Sequence, residues 1–282
     1  MQLETRVYQK ENNLKIGRLL RASITDMFRS HFLAQQLAVR DIKSQYRESF
    51  LGILWLFITP FATALVWIFL NYSGTITLTE TGIAYPVYAF SGTLIWSIIT
   101  EAIKSPAQST NSSKGIISKI NFPKEALILT GIYTLLFNSS IKLILLFVFV
   151  IVYGTGFHLS QLLFPLVILG AVFFGTTMGL LITPISLLYN DISRIISMGL
   201  TFLMYITPVV YAFPKADGLM KTLMTYNPFT PFILTARDTV TGVEPAFLPY
   251  LFVVLLVCIP VFLIALVVYR ISIPIIIERN GA

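Results

Sequence analysis

The sequence predicts an all-α polytopic membrane protein. It has six predicted transmembrane helices, amphipathic interfacial helices at the N-terminus and an outer re-entrant helical hairpin before the last span. Hydrophobic residues make up 56% and charged residues 12% of its 282 residues, whereas soluble domains carry about 25% charged residues. The mean hydropathy is +0.80. This composition argues against a soluble enzyme and a disordered chain, and the single cysteine, Cys258, argues against a disulfide scaffold.

The first 49 residues predict two helices on the membrane surface. Residues 1–30 are an N-terminal amphipathic extension, because the apolar side chains of 14–29 share one helical face and the basic ones the other. An ordinary solvated helix is the alternative. Residues 31–49 are a cytoplasmic interface helix with mixed charges on its polar face, which suits a protein partner. Its predicted apolar stripe consists of Phe32, Val39, Ile42, Tyr46 and Phe50.

Six apolar segments are long enough to cross a bilayer, which takes about 20 residues each. They cover residues 50–71, 83–103, 126–153, 162–189, 195–213 and 247–269. Together they predict a six-span permease domain over 50–279. The fourth segment contains Gly175 and Gly179, a spacing typical of closely packed membrane helices.

The distribution of basic residues predicts the orientation. Nine Lys and Arg residues lie in 1–49, four in 104–125 and three more in the remaining loop and tail on that side, whereas three lie in 214–246. An excess of sixteen against three places both termini in the cytoplasm, by the positive-inside rule. The net charge of +7 then reflects the topology, and the basic residues responsible for it can contact membrane lipid. It does not predict nucleic-acid binding, since no aromatic–basic RNA motif accompanies it.

Residues 214–246 differ from the other loops. They are only moderately apolar and contain Pro214, Pro228, Pro231 and Pro245. Short helices are predicted over 219–225 and 232–240, joined by a proline turn. Such a pair suits a re-entrant hairpin, whose backbone needs shielding by protein or by a water-filled cavity. We expect an outer gate here, formed by Tyr226, Asn227, Pro228 and Pro231.

The sequence lacks the motifs that the common kinds of catalytic or nucleotide-binding site would need. It contains no G-x-x-x-x-G-K-[ST] motif, no His/Cys cluster with metal-ligand spacing and no convergent acid/base set. We therefore predict no catalytic residue, no metal and no cofactor on this chain. Aromatic residues recur at helical spacing on the second and fifth spans, where they predict either lipid-facing belts or a channel wall. The channel candidates are Tyr85, Tyr88, Trp96, Phe202 and Tyr205.

Four segments in order resemble ABC-type polysaccharide export permeases, the family of the O-antigen, capsule and wall teichoic acid exporters. The first segment is RDIKSQYR at 40–47 with SFLGILW at 49–55 and Thr59-Pro60, and the second is NFPKE at 121–125. The third is NDI at 190–192 with TPVVY at 207–211, and the fourth is YNPFTP at 226–231 with Arg237-Asp238. The resemblance covers roughly residues 31–279 and leaves the first thirty residues outside.

The resemblance implies a homodimer of six-span subunits in the cytoplasmic (inner) membrane of a bacterium. It also implies two copies of a separate P-loop ATPase that binds ATP and Mg²⁺, and a lipid-linked polysaccharide as the substrate of a channel between the subunits. By position, the residues implied for ATPase coupling are Arg40, Asp41, Lys43, Tyr46, Arg47, Phe122, Pro123, Lys124 and Glu125. Basic residues of the same helix are also candidates for contact with a lipid pyrophosphate.

Three other functions stay open at this point. One is an ABC permease for a small hydrophobic compound, since related permeases share the six-span plan. Another is a membrane-embedded glycosyltransferase or acyltransferase, which would need a buried acid/base set. A structural membrane scaffold is the third, although a scaffold would not need the proline hairpin.

Overall fold

The computed structural model describes residues 16–47, 49–74, 83–117, 119–120, 122–154, 156–214 and 216–281. Every regular element in these ranges is helical, as predicted. The helices are α1 (Ile16–Arg29), α2 (His31–Arg47), α3 (Trp55–Tyr72), α4 (Tyr85–Ser112), α5 (Lys114–Ile117), α6 (Glu125–Val152), α7 (Phe164–Leu188), α8 (Asn190–Ile206), α9 (Leu219–Tyr226), α10 (Thr230–Thr241) and α11 (Leu248–Gly281). Short 3₁₀ turns, Gly52–Leu54 and Leu159–Leu162, lead into α3 and α7.

The two N-terminal helices form as predicted, but α2 packs through a different face. Its buried residues are Ala34, Leu37 and Ala38, whereas Phe32 is 70% and Val39 41% exposed. Most of the predicted apolar stripe therefore lies away from the contact with the bundle, while Ile42 and Tyr46 are half-buried. A membrane-facing role for the stripe stays a prediction. Small alanines let α2 approach α6 closely enough for the Thr130 hydroxyl to donate to the Ala34 carbonyl at 3.3 Å. Residues 1–15 of the N-terminal extension lie outside the described residues.

Five helical segments among the described residues are long and apolar enough to cross a membrane. They are Gly52–Tyr72, Tyr85–Ser112, Glu125–Val152, Leu159–Leu188 and Leu248–Arg279. They match the first, second, third, fourth and sixth predicted spans, and two of them extend well beyond the prediction. The predicted spans end where the apolar residues end. Tyr85–Ser112 and Leu248–Arg279 instead continue as helices into more polar sequence.

The fifth predicted span, residues 195–213, differs from the structure at both ends. Helix α8 begins earlier, at Asn190, and ends at Ile206, because Pro208 disfavours the helical conformation at the residue before it. Thr207 is extended, with φ −110° and ψ 140°. The 17 residues of α8 reach about 26 Å, slightly less than a hydrocarbon core of about 30 Å.

Helix α4 lies at the centre of the bundle and packs against α3, α6 and α7. Its contact with α7 depends on Gly175 and Gly179, as the spacing predicted. A Cβ at Gly175 would lie 2.5 Å from the Cβ of Ala102, and one at Gly179 would collide with the Ile103 carbonyl. The absence of side chains at these two positions brings the backbones of α4 and α7 together.

The segment between α8 and α11 forms two short helices, as predicted, joined by the turn at Asn227 and Pro228. Helix α10 is buried along almost its whole length and contacts α4, α6, α7 and α11. Helix α9 is mostly exposed, with Met224 as its one buried residue. The hairpin therefore has one helix inside the bundle and one on its surface.

Candidate functional site

The two segments implied for ATPase coupling meet in one apolar cluster. Leu37 of α2 packs with Ile117 of α5 and Leu127 of α6, and Phe122 lies against this cluster. The chain turns from α4 through α5 into α6 at this point, so α2 and residues 122–125 share one end of the bundle. The role of these residues in contacting an ATPase stays a prediction.

The polar residues of α2 divide into two groups. Asp41 accepts two hydrogen bonds from the Arg40 guanidinium, at 2.6 and 2.9 Å, and Arg40 also donates to the Ser113 hydroxyl at 3.2 Å. The Tyr46 hydroxyl donates to the Asn138 side chain at 3.0 Å. Arg40, Asp41 and Tyr46 therefore attach α2 to the rest of the bundle.

The second group on α2 consists of Lys43 and Arg47, which are exposed. They border a surface hollow of about 600 Å³. Burial raises the pKa of Tyr46 to about 12, and the negative charge of Glu101 adds to this shift. Tyr46 thus stays protonated and able to donate, while the two exposed cations are available to a partner.

Residues 122–125 also have unequal surroundings. Pro123 is exposed, and the Lys124 ammonium lies 4.8 Å from the centroid of the Phe122 ring. Burial lowers the pKa of Lys124, while the neighbouring Glu125 opposes this shift. Glu125 itself is only 2% exposed, so it does not offer a surface contact.

The Glu125 carboxylate is held inside the protein by two other helices. It accepts a hydrogen bond from the Ser23 hydroxyl of α1 at 2.9 Å and forms an ion pair with Arg270 of α11. Arg270 also pairs with Asp26 of α1 at 2.8 Å. One guanidinium therefore connects α1, the start of α6 and the end of α11. The sequence offers no signal for this contact, since α1, Glu125 and Arg270 lie far apart along the chain.

Three of the predicted channel residues lie within the subunit. Tyr88 is 5% and Trp96 6% exposed, and Tyr85 is half-buried. Trp96 packs on Phe229, with ring centroids 5.5 Å apart. Tyr88 and Trp96 lie on the face of α4 that packs against α10 and the residue before it. A channel role for Tyr85, Tyr88 and Trp96 stays a prediction. Tyr88 and Trp96 are buried in the single subunit, so neither ring lines an open surface there.

The two channel candidates on α8 have open surroundings. Phe202 is 59% and Tyr205 45% exposed. Tyr205 lies beside Trp67 of α3, with ring centroids 6.4 Å apart. These two rings stay predicted channel residues, and α3 and α8 form the surface on which they lie.

The 207–211 segment that follows α8 is held by side-chain donors from two other helices. Arg237 of α10 donates to the carbonyls of Pro208, at 3.0 Å, and of Val209. The Tyr85 hydroxyl donates to the Val210 carbonyl at 3.0 Å, and the Tyr88 hydroxyl to the next carbonyl along the chain, also at 3.0 Å. The four successive carbonyls of residues 208–211 lie beyond the end of α8 and accept these hydrogen bonds in place of helical ones.

Two further features make this arrangement possible. The Arg237 guanidinium carbon lies 3.5 Å from the centroid of the Tyr88 ring, which stabilises a buried cation. A Cβ at Gly92 would collide with the Val209 carbonyl and the Arg237 guanidinium. Only glycine at position 92 leaves room for the segment to lie against α4.

The predicted outer-gate residues belong to the same region. The Asn227 side chain donates to the Thr207 hydroxyl at 2.8 Å and accepts from the Phe229 amide at 3.0 Å. The Tyr226 carbonyl accepts from the Tyr250 hydroxyl at 3.2 Å, although the Tyr226 ring is 78% exposed. Pro228 is exposed and Pro231 is buried at the start of α10. A gating role for these residues stays a prediction.

An ion pair within the spans joins a buried lysine to a glutamate whose side chain is 38% exposed. Lys142 of α6 is 1% exposed; it pairs with Glu101 of α4 and donates to the Ser97 hydroxyl at 3.2 Å. A charge at bilayer depth needs such a partner. Glu101 and Lys142 lie 41 residues apart, so only the folded chain brings them together.

The chain is similar to several known proteins. The family model described as ABC-2 type transporter matches residues 33–241, which extend from α2 to the end of α10. The chain is 28% identical over 207 residues to the O-antigen export system permease protein RfbA of Myxococcus xanthus, covering 73% of this chain and 78% of that protein. It is also 28% identical over 202 residues to a Klebsiella pneumoniae protein of the same name, covering 71% and 76%. A second Klebsiella pneumoniae protein of that name is 26% identical over the same shares.

Proposed function

Because the chain belongs to the ABC-2 type transporter family, we propose that it is the transmembrane permease subunit of an ATP-driven exporter of a lipid-linked, O-antigen-like polysaccharide. The observation that carries this proposal is the match of residues 33–241, together with three relatives that are named O-antigen export permeases. The chain lies in the cytoplasmic membrane with both termini on the cytoplasmic side, as the sixteen basic residues on that side support.

A separate ATPase supplies the energy, since the sequence contains no P-loop motif. It binds ATP and Mg²⁺ and docks at the end of the bundle where α2 meets residues 122–125. Lys43 and Arg47 are the exposed cations of this surface, and an acidic patch on the ATPase would complement them. Arg40 is less suited to docking, because it already binds Asp41 and Ser113.

The proposed assembly contains two copies of this chain, with the channel between them. Helices α3 and α8 suit this contact, because their own subunit leaves much of them uncovered. The most exposed apolar side chains on the two helices include Val66, Phe69, Ile195, Met198 and Phe202. Aromatic rings such as Phe202 and Tyr205 would contact the flat faces of passing sugars without strong directional bonds.

The proposal is tested by depleting the protein from its native cells and measuring lipid-linked polymer and surface glycan. For a polysaccharide exporter, we expect lipid-linked polymer to accumulate on the inner face of the membrane while surface glycan disappears. An exporter of a small hydrophobic compound would leave both pools unchanged. A glycosyltransferase or acyltransferase would instead leave the polymer unfinished, and either of these results would refute the proposal.

Docking is tested by charge reversal on α2. The Lys43→Glu, Arg47→Glu double variant should lose co-purification of the ATPase and vanadate-sensitive ATP hydrolysis. Arg279→Glu, at the exposed end of α11, is the matched control and should keep both. Retention of the ATPase by the double variant would place docking elsewhere on the chain.

A further inference from the structure

A cavity lined mainly by residues with polar side chains lies between α2, α4 and α6, outside the proposed channel surface. Its volume is about 480 Å³. Eight of its thirteen lining residues carry hydroxyl or amide side chains, among them Gln108 and Thr134, and Leu56 of α3 closes one side. The rim includes Ser44 and Gln45, which are exposed on α2. The cavity is therefore accessible from the end of the bundle that carries α2.

The charges in the lining are already neutralised. Asp41 is paired with Arg40 at 2.6 Å and accepts from the Ser112 hydroxyl at 3.1 Å. Glu101 is paired with Lys142. A cavity with paired carboxylates and no spare cation does not favour a phosphate group or a metal ion. It favours a neutral ligand that is rich in hydrogen-bonding groups.

Two atoms of the lining residues have unused hydrogen-bonding capacity. The Oε2 atom of Glu101 and the hydroxyl of Thr134 are buried without a hydrogen-bond partner among the described residues. Buried polar atoms in native proteins are normally satisfied by protein, water or ligand. A carboxylate only accepts hydrogen bonds, whereas a hydroxyl and an amide such as that of Gln108 can both donate and accept them. A sugar offers several hydroxyl groups, each able to donate and accept, so it complements this set.

We propose that the cavity binds one neutral sugar unit of the transported glycan. This inference rests on the proposed function, because the glycan is the substrate named there. An apolar ligand would leave the Glu101 Oε2 atom and the Thr134 hydroxyl unsatisfied, which argues against the small hydrophobic compound at this position. Water could occupy the same space, since each water takes about 30 Å³, and binding measurements decide between the two.

Thr134→Val tests the inference, because valine keeps the shape of threonine and removes the partnerless hydroxyl. The complete complex with its ATPase, in lipid nanodiscs, is titrated with methyl α-mannoside, methyl β-galactoside and methyl β-glucoside by saturation-transfer NMR. We expect at least one glycoside to bind the wild type and to bind Thr134→Val about tenfold more weakly, the loss of one hydrogen bond. The melting temperature of the sugar-free variant should equal or exceed that of the wild type.

Thr176→Val is the matched control, since the Thr176 hydroxyl of α7 is also buried without a partner but does not line the cavity. It should bind the glycosides as the wild type does. Absence of glycoside binding to the wild type, or equal binding by Thr134→Val, would overturn the inference and leave a water-filled cavity.

Export of lipid-linked polymer by the same preparations separates this inference from the proposed function. If the wild type exports polymer and Thr134→Val binds glycosides equally well, only the cavity assignment fails. If the wild type exports no polymer, the proposed function fails, and with it the assignment of a glycan unit to the cavity.

Discussion

Arg237 should decide whether the 207–211 segment keeps its place against α4. Its guanidinium is buried, donates to the carbonyls of Pro208 and Val209, and lies on the Tyr88 ring. Arg237→Met keeps a long apolar side chain in this space but removes both donors and the charge. Two carbonyls of a non-helical segment would then be buried without partners.

The magnitude follows from these contacts. A hydrogen bond from a charged donor contributes about 1.5–3 kcal/mol, and a desolvated cation–π contact contributes about 2 kcal/mol. Loss of the buried cation also removes its desolvation cost, which offsets part of this sum. We expect Arg237→Met to lower the free energy of unfolding by about 2–4 kcal/mol. For a chain of this size the melting temperature should fall by about 3–7 °C.

The assay is thermal unfolding of the purified protein in one detergent. Arg194→Met is the matched control: Arg194 has 86% of its side chain exposed, and its nearest carboxylate oxygen, on Asp191, is 3.9 Å away. Exposed pairs of this kind contribute about 0–1 kcal/mol, so the control should melt close to the wild type. Arg237→Lys should fall between the two, since lysine keeps the charge but not the paired donors. If Arg237→Met melts with the control, the segment is not held by this side chain.

Other contacts make predictions of their own. Gly92→Ala places a Cβ against a neighbouring carbonyl and should lower the melting temperature, whereas Gly199→Ala on α8, with nothing within 4 Å, should preserve or raise it; equal values would contradict the close approach at Gly92. Lys142→Met leaves the Glu101 carboxylate without its cation, but the Glu101 side chain is 38% exposed and can be hydrated. The variant should therefore be destabilised by about 1–3 kcal/mol, the contribution of a hydrogen bond between charged groups. Thermal unfolding measures this against the double variant that also replaces Glu101 by Gln. Glu125→Gln weakens the attachment of α1 and should speed tryptic cleavage within α1; unchanged cleavage would show that other contacts hold that helix.

Sequence periodicity predicted the helices but not which of their faces are covered. On α4, the spacing of Tyr88 and Trp96 correctly indicates a common face. That face packs beneath α10, a helix more than 120 residues later in the chain, and no local pattern contains this information. On α2 the predicted apolar stripe is not the face that packs most closely against the bundle. Large apolar side chains such as Phe32 remain exposed, because close contact with α6 selects the smaller Ala34 and Ala38.

Proline and glycine carried more tertiary information than hydropathy did. The spacing of Gly175 and Gly179 correctly predicted a close helix contact, because only a missing side chain allows that approach. Pro208 lies within an apolar run that predicted a continuous fifth span, yet α8 ends before it. Proline in a membrane helix permits either a kink or an end. The neighbouring donors decide between them, and here Arg237 satisfies the carbonyls of a non-helical segment.

The two ends of α8 are held by different kinds of contact. The end of α8 at Ile206 continues into a segment whose carbonyls bind donors from α4 and α10, so movement there requires several buried hydrogen bonds to break together. At the other end, α8 begins after the extended residue Tyr189, and its first ion pair, between Asp191 and Arg194, is exposed. Tyr189 alone separates this end from α7, so the chain itself ties the start of α8 to the end of α7. A rotation of α8 relative to α7 would therefore occur at Tyr189, whereas a displacement of Ile206 would need the buried hydrogen bonds of the 207–211 segment to break.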